Sequence, residues 1–598
     1  MAKPQDFSTL RIPEQTLKKS WFDPRPKRIK QWLEALPLGD TDESANRLHS
    51  VLEHTNKVKI SAPTRLKMLK ELYPTYLFCT QALKKKFLNV SFPLNNRALK
   101  TVDQTLALDK ELAIAYRICC VDLLTHSHFF DKKAMAHAFF MELHINARTQ
   151  LTHYQIYSPE PTDFWEVVYA LYRLAEQKNV HTLSIKTLDE QPRLSTVENQ
   201  FKQILLLSLA NPYHLGKNEI TKVHALLNGL ASYSKLINPE TENQGDAHFV
   251  TCLTKDRPPQ ELHLVKLIQR DECRFLDNSA LIKQMTVRLN KIQKELSQQD
   301  SQLKQNDLRL LELYRGLVHN WGIRSKRSFT RQSVSGEVDM SIGLNSTHYV
   351  IDACQQDPLN QENDSEQISL THEELENPLD IIHTTFSLDP MTEDATTSHW
   401  NKNNLSHINL SQVRGKYTDQ DIPQPKYDYT QWKTLNAGAG GYCLLWDHDR
   451  SSHAQIGEII ALRDSGENND QNWRVGVVRW MQYIRQSGVK LGIQILSPGA
   501  NSIQSRLLQD NKHNAQEYSC LSLPALTGIK QPASLLTPSM QYKVGDALIL
   551  NDHGKLSNVH LTRMIEMNAN YSRFEYHKQQ FDEQAETQYQ KNDDNPEG

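Results

Sequence analysis

A chain of 598 residues is long enough for roughly two to four domains, each with a core of its own. Its 68 Lys and Arg against 70 Asp and Glu leave a net charge of −2 and a pI near 6.9, which excludes a dedicated nucleic-acid coat and a polybasic membrane binder. Mean hydropathy is −0.59, no apolar run approaches the roughly 18–20 residues that cross a bilayer, and residues 1–15 lack a hydrophobic signal core; the expectation is a cytoplasmic protein with no transmembrane segment.

Residues 15–240 carry the spacing of an all-α helical domain. Asp40-Thr-Asp-Glu43 supplies an acidic helix start ahead of Leu48, Val51 and Leu52 at i, i+3, i+4 spacing. Long amphipathic stretches follow at 63–89 and 95–124, the second with Leu106, Leu108, Leu112 and Tyr116 along one side. Residues 131–157 are rich in Ala, Met, Phe and Leu, and 161–176 open with Pro161 near a helix start. The Trp, Leu, Tyr and Ala spacing of that last segment resembles one helix of a tetratricopeptide-like repeat. No clean ~34-residue period accompanies it, so the expectation is an irregular bundle or solenoid. A protein partner, unidentified from sequence, would dock on this helical region.

The helical signal lapses between 237 and 261, where Pro258-Pro259 stands, and residues 248–253 read as a short strand. Residues 241–320 are therefore a mixed segment ending in one connector helix over about 278–321. Residues 355–400 hold eleven Asp or Glu and no Lys or Arg, too little apolar surface to offset the entropy of ordering. The expectation is a flexible acidic insertion over 355–428. Strand candidates at 336–344, 442–446, 455–463, 473–480 and 489–496, parted by Asp, Gly and Asn turns, have the spacing of a small antiparallel barrel. It would be built from 321–354 and 429–500. A further β-rich unit is expected over 501–577, with strands near 543–550 and 559–566, and a disordered tail over 578–598. The fold class is thus multidomain α+β.

The eight cysteines include no C-x-x-C pair and suit reduced, buried thiols better than a disulfide framework or a zinc site. His-Glu-x-x-His, G-x-S-x-G and P-loop patterns are absent. Thr371-His-Glu-Glu-Leu375 lacks a second His at helical spacing. No enzymatic activity, metal site or cofactor is expected.

Two clusters remain. Arg327-Ser-Phe-Thr-Arg331 reads R-x-x-x-R ahead of the strand at 336–344, and Asn436-Ala-Gly-Ala-Gly-Gly441 reads N-x-G-x-x-G ahead of the strand at 442–446. Alone, the first could be a solvated basic edge and the second a β-turn. A dinucleotide fold is a poor reading of the second, because a strand follows where a helix is needed.

Together and in this order they resemble the signature of PilZ domains, R-x-x-x-R followed by [D/N]-x-S-x-x-G. Gly476-Val-Val-Arg-Trp480 resembles that family's barrel strand ending in an aromatic residue, and Leu491-Gly-Ile-Gln-Ile-Leu496 its closing strand. The resemblance implies a PilZ-like barrel that binds cyclic di-GMP through Arg327, Arg331, Asn436, Gly438 and Gly441, with Arg324, Lys326 and Trp480 as auxiliary contacts. It also implies an effector acting on surface attachment, motility or biofilm output. Two departures stand out: Gly438 occupies the family serine's place, and Arg331 lies 105 residues before Asn436, a gap the acidic insertion largely fills. Gly438 leaves a second reading open, a scaffold whose barrel no longer binds nucleotide.

Overall fold

A computed structural model describes residues 10–17, 20–125, 131–188, 192–238, 245–265, 272–298, 304–322, 334–356, 429–438, 440–465, 472–508 and 516–578. Arg324, Lys326, Arg327 and Arg331, nearly all of the acidic insertion and the expected tail lie outside the described residues.

The helical domain begins with α1 (Pro26–Glu34), α2 (Thr41–Asn56), α3 (Ala62–Leu88), α4 (Asn96–Thr125), α5 (Lys132–Gln155) and α6 (Phe164–Gln177). After β1 (Ile185–Lys186) and β2 (Leu194–Ser195) it continues with α7 (Val197–Leu209) and α8 (Lys217–Leu230). The acidic start of α2 is a cap, Asp40 Oδ1 accepting from the Glu43 amide at 3.0 Å, and at α5 Asp131 Oδ1 accepts from the Lys133 amide at 3.0 Å. Such caps satisfy amides that have no partner within the helix. α5 is buried nearly all round, from Met135 and Phe139 to Leu151. It is therefore the central helix of the bundle, not a surface helix with one apolar stripe.

The next segment departs from expectation twice. β3 (Lys235–Ile237), β4 (Phe249–Cys252), β5 (Gln260–Glu261) and β6 (Cys273–Asp277) pair as one antiparallel sheet in the order β3-β6-β4-β5. The single connector helix is two helices, α9 (Ser279–Gln298) and α10 (Lys304–Gly322). The end of α10 is anchored on the helical domain: buried Trp321 donates from Nε1 to the Leu206 carbonyl at 3.0 Å.

β7 (Gly336–Ile342), β8 (Thr430–Gly438), β9 (Gly441–Trp446), β10 (Ile459–Asp464), β11 (Arg474–Ile484) and β12 (Gly488–Ser497) form a closed antiparallel barrel in the order β10-β11-β12-β9-β8-β7. Alternate residues Val338, Met340, Trp432, Leu444, Ile460, Leu462, Val478 and Leu491 are its buried interior. Between β7 and the insertion the chain forms a helix that the strand pattern did not announce, α11 (Leu344–Gln355). Gly343, at φ 97°, turns the chain into it. Leu344, Val350 and Ile351 then pack against Ile459, Val475 and Val477 of the barrel and against Leu521 and Leu536 of the next domain.

That domain is also closed: β13 (Asn501–Leu507), β14 (Tyr518–Leu523), β15 (Ser534–Pro538), β16 (Ala547–Asp552), β17 (Lys555–Met567) and β18 (Tyr571–Lys578), in the order β13-β14-β15-β18-β17-β16. The β16–β17 turn has positive φ at both His553 and Gly554, the geometry that matches the twist of a two-residue hairpin. An N-terminal helical region followed by antiparallel six-stranded barrels is the α+β class the sequence patterning indicated. All eight cysteines are free thiols. No helix among the described residues is long and apolar enough to cross a membrane.

Candidate functional site on the outer face of the middle barrel

The second cluster closes the β8–β9 hairpin, where Gly438 pairs with Gly441. Gly441 has φ 154°, and a Cβ built there would lie 1.9 Å from the Ile493 carbonyl oxygen. The hairpin therefore crosses β12 at a distance that only glycine allows. A bulge between Thr434 and Asn436 shifts the register, so that Asn436 pairs with Cys443. Cys443 pairs with Gly492, and Gly492 with Trp480. Directly paired residues of an antiparallel sheet share a face. The neighbours Leu444 and Leu491 are in the barrel interior, so Asn436, Cys443, Gly492 and Trp480 form one row across the outside.

Two features mark this row. The Asn436 Oδ1 atom is buried and has no hydrogen-bond partner among the described residues. An unsatisfied buried acceptor costs about 1–3 kcal/mol, a cost removed when a donor arrives. Trp480 lies flat over Gly492: a Cβ at Gly492 would come within 1.8 Å of Trp480 Nε1. The indole is half-buried and forms an aromatic platform on the same face as the carboxamide.

A second bulge, between Val478 and Trp480, displaces Arg479. Its Nε donates to Gln494 Oε1 at 2.6 Å, and Gln494 is the β12 partner of Gly441. The same guanidinium forms a two-pronged ion pair with Glu566 on β17, its Nη2 lying 3.1 Å from Oε2. Burial alone would raise the Glu566 carboxyl, but the Arg479 charge outweighs it and holds the group below the usual carboxylate range. Farther along β11, the Tyr483 amide donates to the Tyr157 carbonyl at 2.8 Å, and Tyr483 packs against Phe92 of the helical domain. One strand thus touches the outer row, the C-terminal barrel and the helical domain.

Of the residues expected from sequence, the structure brings Asn436 and Trp480 into one row and gives Gly438 and Gly441 to the hairpin beside it. Arg324, Lys326, Arg327 and Arg331 lie outside the described residues. Gly492, Cys443 and Arg479 were not singled out as site residues. A glycine in mid-strand is a signal of close approach, and Gly492 carried it; nothing local marked the other two. Among the described residues no group of three or more His, Cys, Asp or Glu could hold a metal ion.

Comparison with known proteins agrees with this architecture. Three family models match in chain order: "Cyclic-di-GMP receptor FimW, N-terminal domain" over 27–240, "Cyclic-di-GMP receptor FimW, middle PilZ domain" over 248–502, and "FimW C-terminal beta-barrel domain" over 503–579. The chain thus resembles FimW in all three parts, with a middle PilZ domain. The cyclic-di-GMP receptor FimW of Pseudomonas aeruginosa is 26% identical over 591 residues, covering 95% of this chain and 93% of that protein. No solved structure matches. The middle match begins at 248, so it takes in most of the β3–β6 sheet and the α9–α10 pair along with the barrel.

Proposed function

We propose that this chain is a receptor for cyclic di-GMP, which it binds on the outer row of the middle barrel. The observation that carries this reading is the buried Asn436 oxygen, without a partner among the described residues, in the same row as the Trp480 platform. A guanine edge offers the N–H donors that this oxygen lacks, and a purine face suits an indole. Arg327 and Arg331 supply what the row does not: planar guanidinium groups that pair bidentately with guanine O6 and N7 or with phosphate. Arg324 and Lys326 add positive charge around the two phosphodiesters. Calorimetric titration of the full chain with cyclic di-GMP, beside GTP as control, is the test. Saturable binding of the dinucleotide with no comparable GTP binding is expected; no binding at millimolar ligand leaves the scaffold reading.

Gly438 sharpens the test. The family serine would contribute one neutral hydrogen bond, about 0.5–1.5 kcal/mol, so Gly438→Ser should tighten binding by roughly two- to tenfold. Unchanged or weaker binding by this variant would show that position 438 does not face the ligand.

The signal leaves the site through β11. A ligand seated on Trp480 bears on its neighbour Arg479, and hence on the pair with Glu566 that ties the middle barrel to the C-terminal one. A protein partner reads the resulting arrangement, with surface attachment, motility or biofilm formation as the output. For such a switch the ligand must favour one arrangement over another. Hydrogen exchange along β17 should therefore change on adding cyclic di-GMP to the native chain and stay constant in Glu566→Gln. A ligand response that survives intact in this variant would remove Glu566 from the route.

A further inference from the structure

A second charged cluster lies in the helical domain, far in sequence from the outer row. Tyr76, Thr80 and Lys84 stand four residues apart on α3, His144 and Arg148 four apart on α5, and His224 faces them from α8. The residues meet. Arg148 Nε donates to the Tyr76 hydroxyl at 3.1 Å and Nη2 to Thr80 Oγ1 at 2.9 Å. Its guanidinium carbon also sits 5.4 Å from the centre of the Tyr76 ring. The Tyr76 hydroxyl donates in turn to Asp109 Oδ1 at 2.6 Å.

The charges in this cluster do not balance. Asp109 is the carboxylate within reach, buried, with its Oδ2 lacking any hydrogen-bond partner among the described residues. Burial raises its carboxyl against the opposing pull of Arg148 and Lys84, which lowers the negative charge it contributes. Against it stand Arg148 and Lys84, with Arg193 and the two histidines beyond. Neither Arg148 Nη1 nor Lys84 Nζ hydrogen-bonds or ion-pairs among the described residues, and both side chains are half-buried. The His224 Nε2 atom is buried and likewise without a partner. Buried charges in folded proteins are paired or bind a counter-charge. Burial, with Arg148 beside it, pulls the Lys84 ammonium down to about 7 despite Asp109. A single anion placed between Lys84 and Arg148 would reverse that pull.

We propose that this cluster of α3, α5 and α8 side chains binds one compact oxyanion, a phosphoryl or carboxylate group, held by Lys84 Nζ and Arg148 Nη1 with His224 nearby. Tyr76 and Thr80 fix the guanidinium plane through Nε and Nη2, which leaves Nη1 for the anion. The site is separate from the nucleotide row and gives the helical domain its own ligand chemistry. That ligand is either a free phosphorylated small molecule or an acidic group carried by another protein.

Thermal unfolding of the full chain at pH 6.5 tests this, in inorganic phosphate, in acetate and in sodium chloride of equal ionic strength. The helical domain's transition should rise by about 3 °C in tens of millimolar phosphate for a ligand of millimolar affinity. It should rise equally in Lys84→Arg and not at all in Lys84→Met. In chloride, Lys84→Met should unfold no lower than the native chain, because it removes an unpaired, half-buried ammonium. A shift in phosphate alone assigns a phosphoryl ligand, and an equal shift in acetate assigns a carboxylate. No shift in either anion, or the same shift in Lys84→Met, overturns the site. Unaltered cyclic di-GMP titration of Lys84→Met would show that the two sites act separately.

Discussion

Replacing Arg327 and Arg331 together by alanine should weaken cyclic di-GMP binding by about two to four decades, because each charged hydrogen bond contributes roughly 1.5–3 kcal/mol. No other pair of substitutions outside the barrel's framework should cost as much. Asn436 donates and accepts only neutral bonds, so Asn436→Ala should cost roughly two- to tenfold. It also removes the unsatisfied oxygen, which stabilises the ligand-free barrel and adds to the apparent loss. The contrast between the two variants is the useful readout. If titration finds the double variant within about threefold of the native chain, the first cluster is only a basic edge and the resemblance has misassigned it. The single Arg327→Ala and Arg331→Ala chains then divide the loss, with non-additivity expected if both arginines grip one phosphate.

Gly441→Ala should unfold or severely destabilise the middle barrel, with an expected cost of about 2–5 kcal/mol. Two effects add. A side chain at φ 154° is strained whatever the space around it, and the new methyl would meet the Ile493 carbonyl oxygen at 1.9 Å, a backbone atom that cannot swing aside. Relief would require β12 to move away from the hairpin and open the β9–β12 ladder, whose register runs from Val489–Trp446 to Gln494–Gly441. Such a cost is a large part of a domain's total stability of about 5–15 kcal/mol. Gly336→Ala is the matched control, since nothing lies within 4 Å of its Cβ position at the start of β7. Urea unfolding followed by tryptophan fluorescence would report the barrel through Trp432, Trp446, Trp473 and Trp480. Equal midpoints for the two variants would mean that the hairpin does not approach β12 as described. The experiment also separates two roles for the family's terminal glycine: lost binding with lost stability is architectural, whereas lost binding at native stability would place Gly441 against the ligand.

How much of this could be read in advance varied with the physics of each region. Helices α2 to α6 followed from apolar spacing, helped by the acidic start at Asp40 and by Pro161, all local properties of the chain. The middle barrel was legible where its strands are dense in apolar residues, as at β9, β10, β11 and β12, whereas β8, with Trp432 buried between Gln431 and Lys433, was not read as a strand. The C-terminal barrel was only half legible. Its buried positions include Ser502, Ser505, Ser534 and Ser572, so β13, β14 and β15 lack the contrast on which period-two reading depends. Helix α11 was missed because it is short and its apolar positions serve two barrels at once. The connector is two helices, α9 and α10, although no glycine or proline stands in the sequence between Gln298 and Lys304.

The sequence alone nominated the side chains proposed for the site: two arginines four apart, an asparagine, and glycines where a hairpin must turn. These are statements about neighbours along the chain, and local chemistry suffices for them. Tertiary structure decided which distant residues share a face. Asn436, Cys443, Gly492 and Trp480 form a row only because bulges at Thr434/Asn436 and Val478/Trp480 set the register of β8 and β11. A slip of one residue would turn each of these side chains into the barrel. The Arg479–Glu566 pair spans 87 residues, and the cluster around Lys84 and Arg148 draws on three helices. Such meetings depend on how closed sheets and packed helices settle against one another, and no local pattern encodes that.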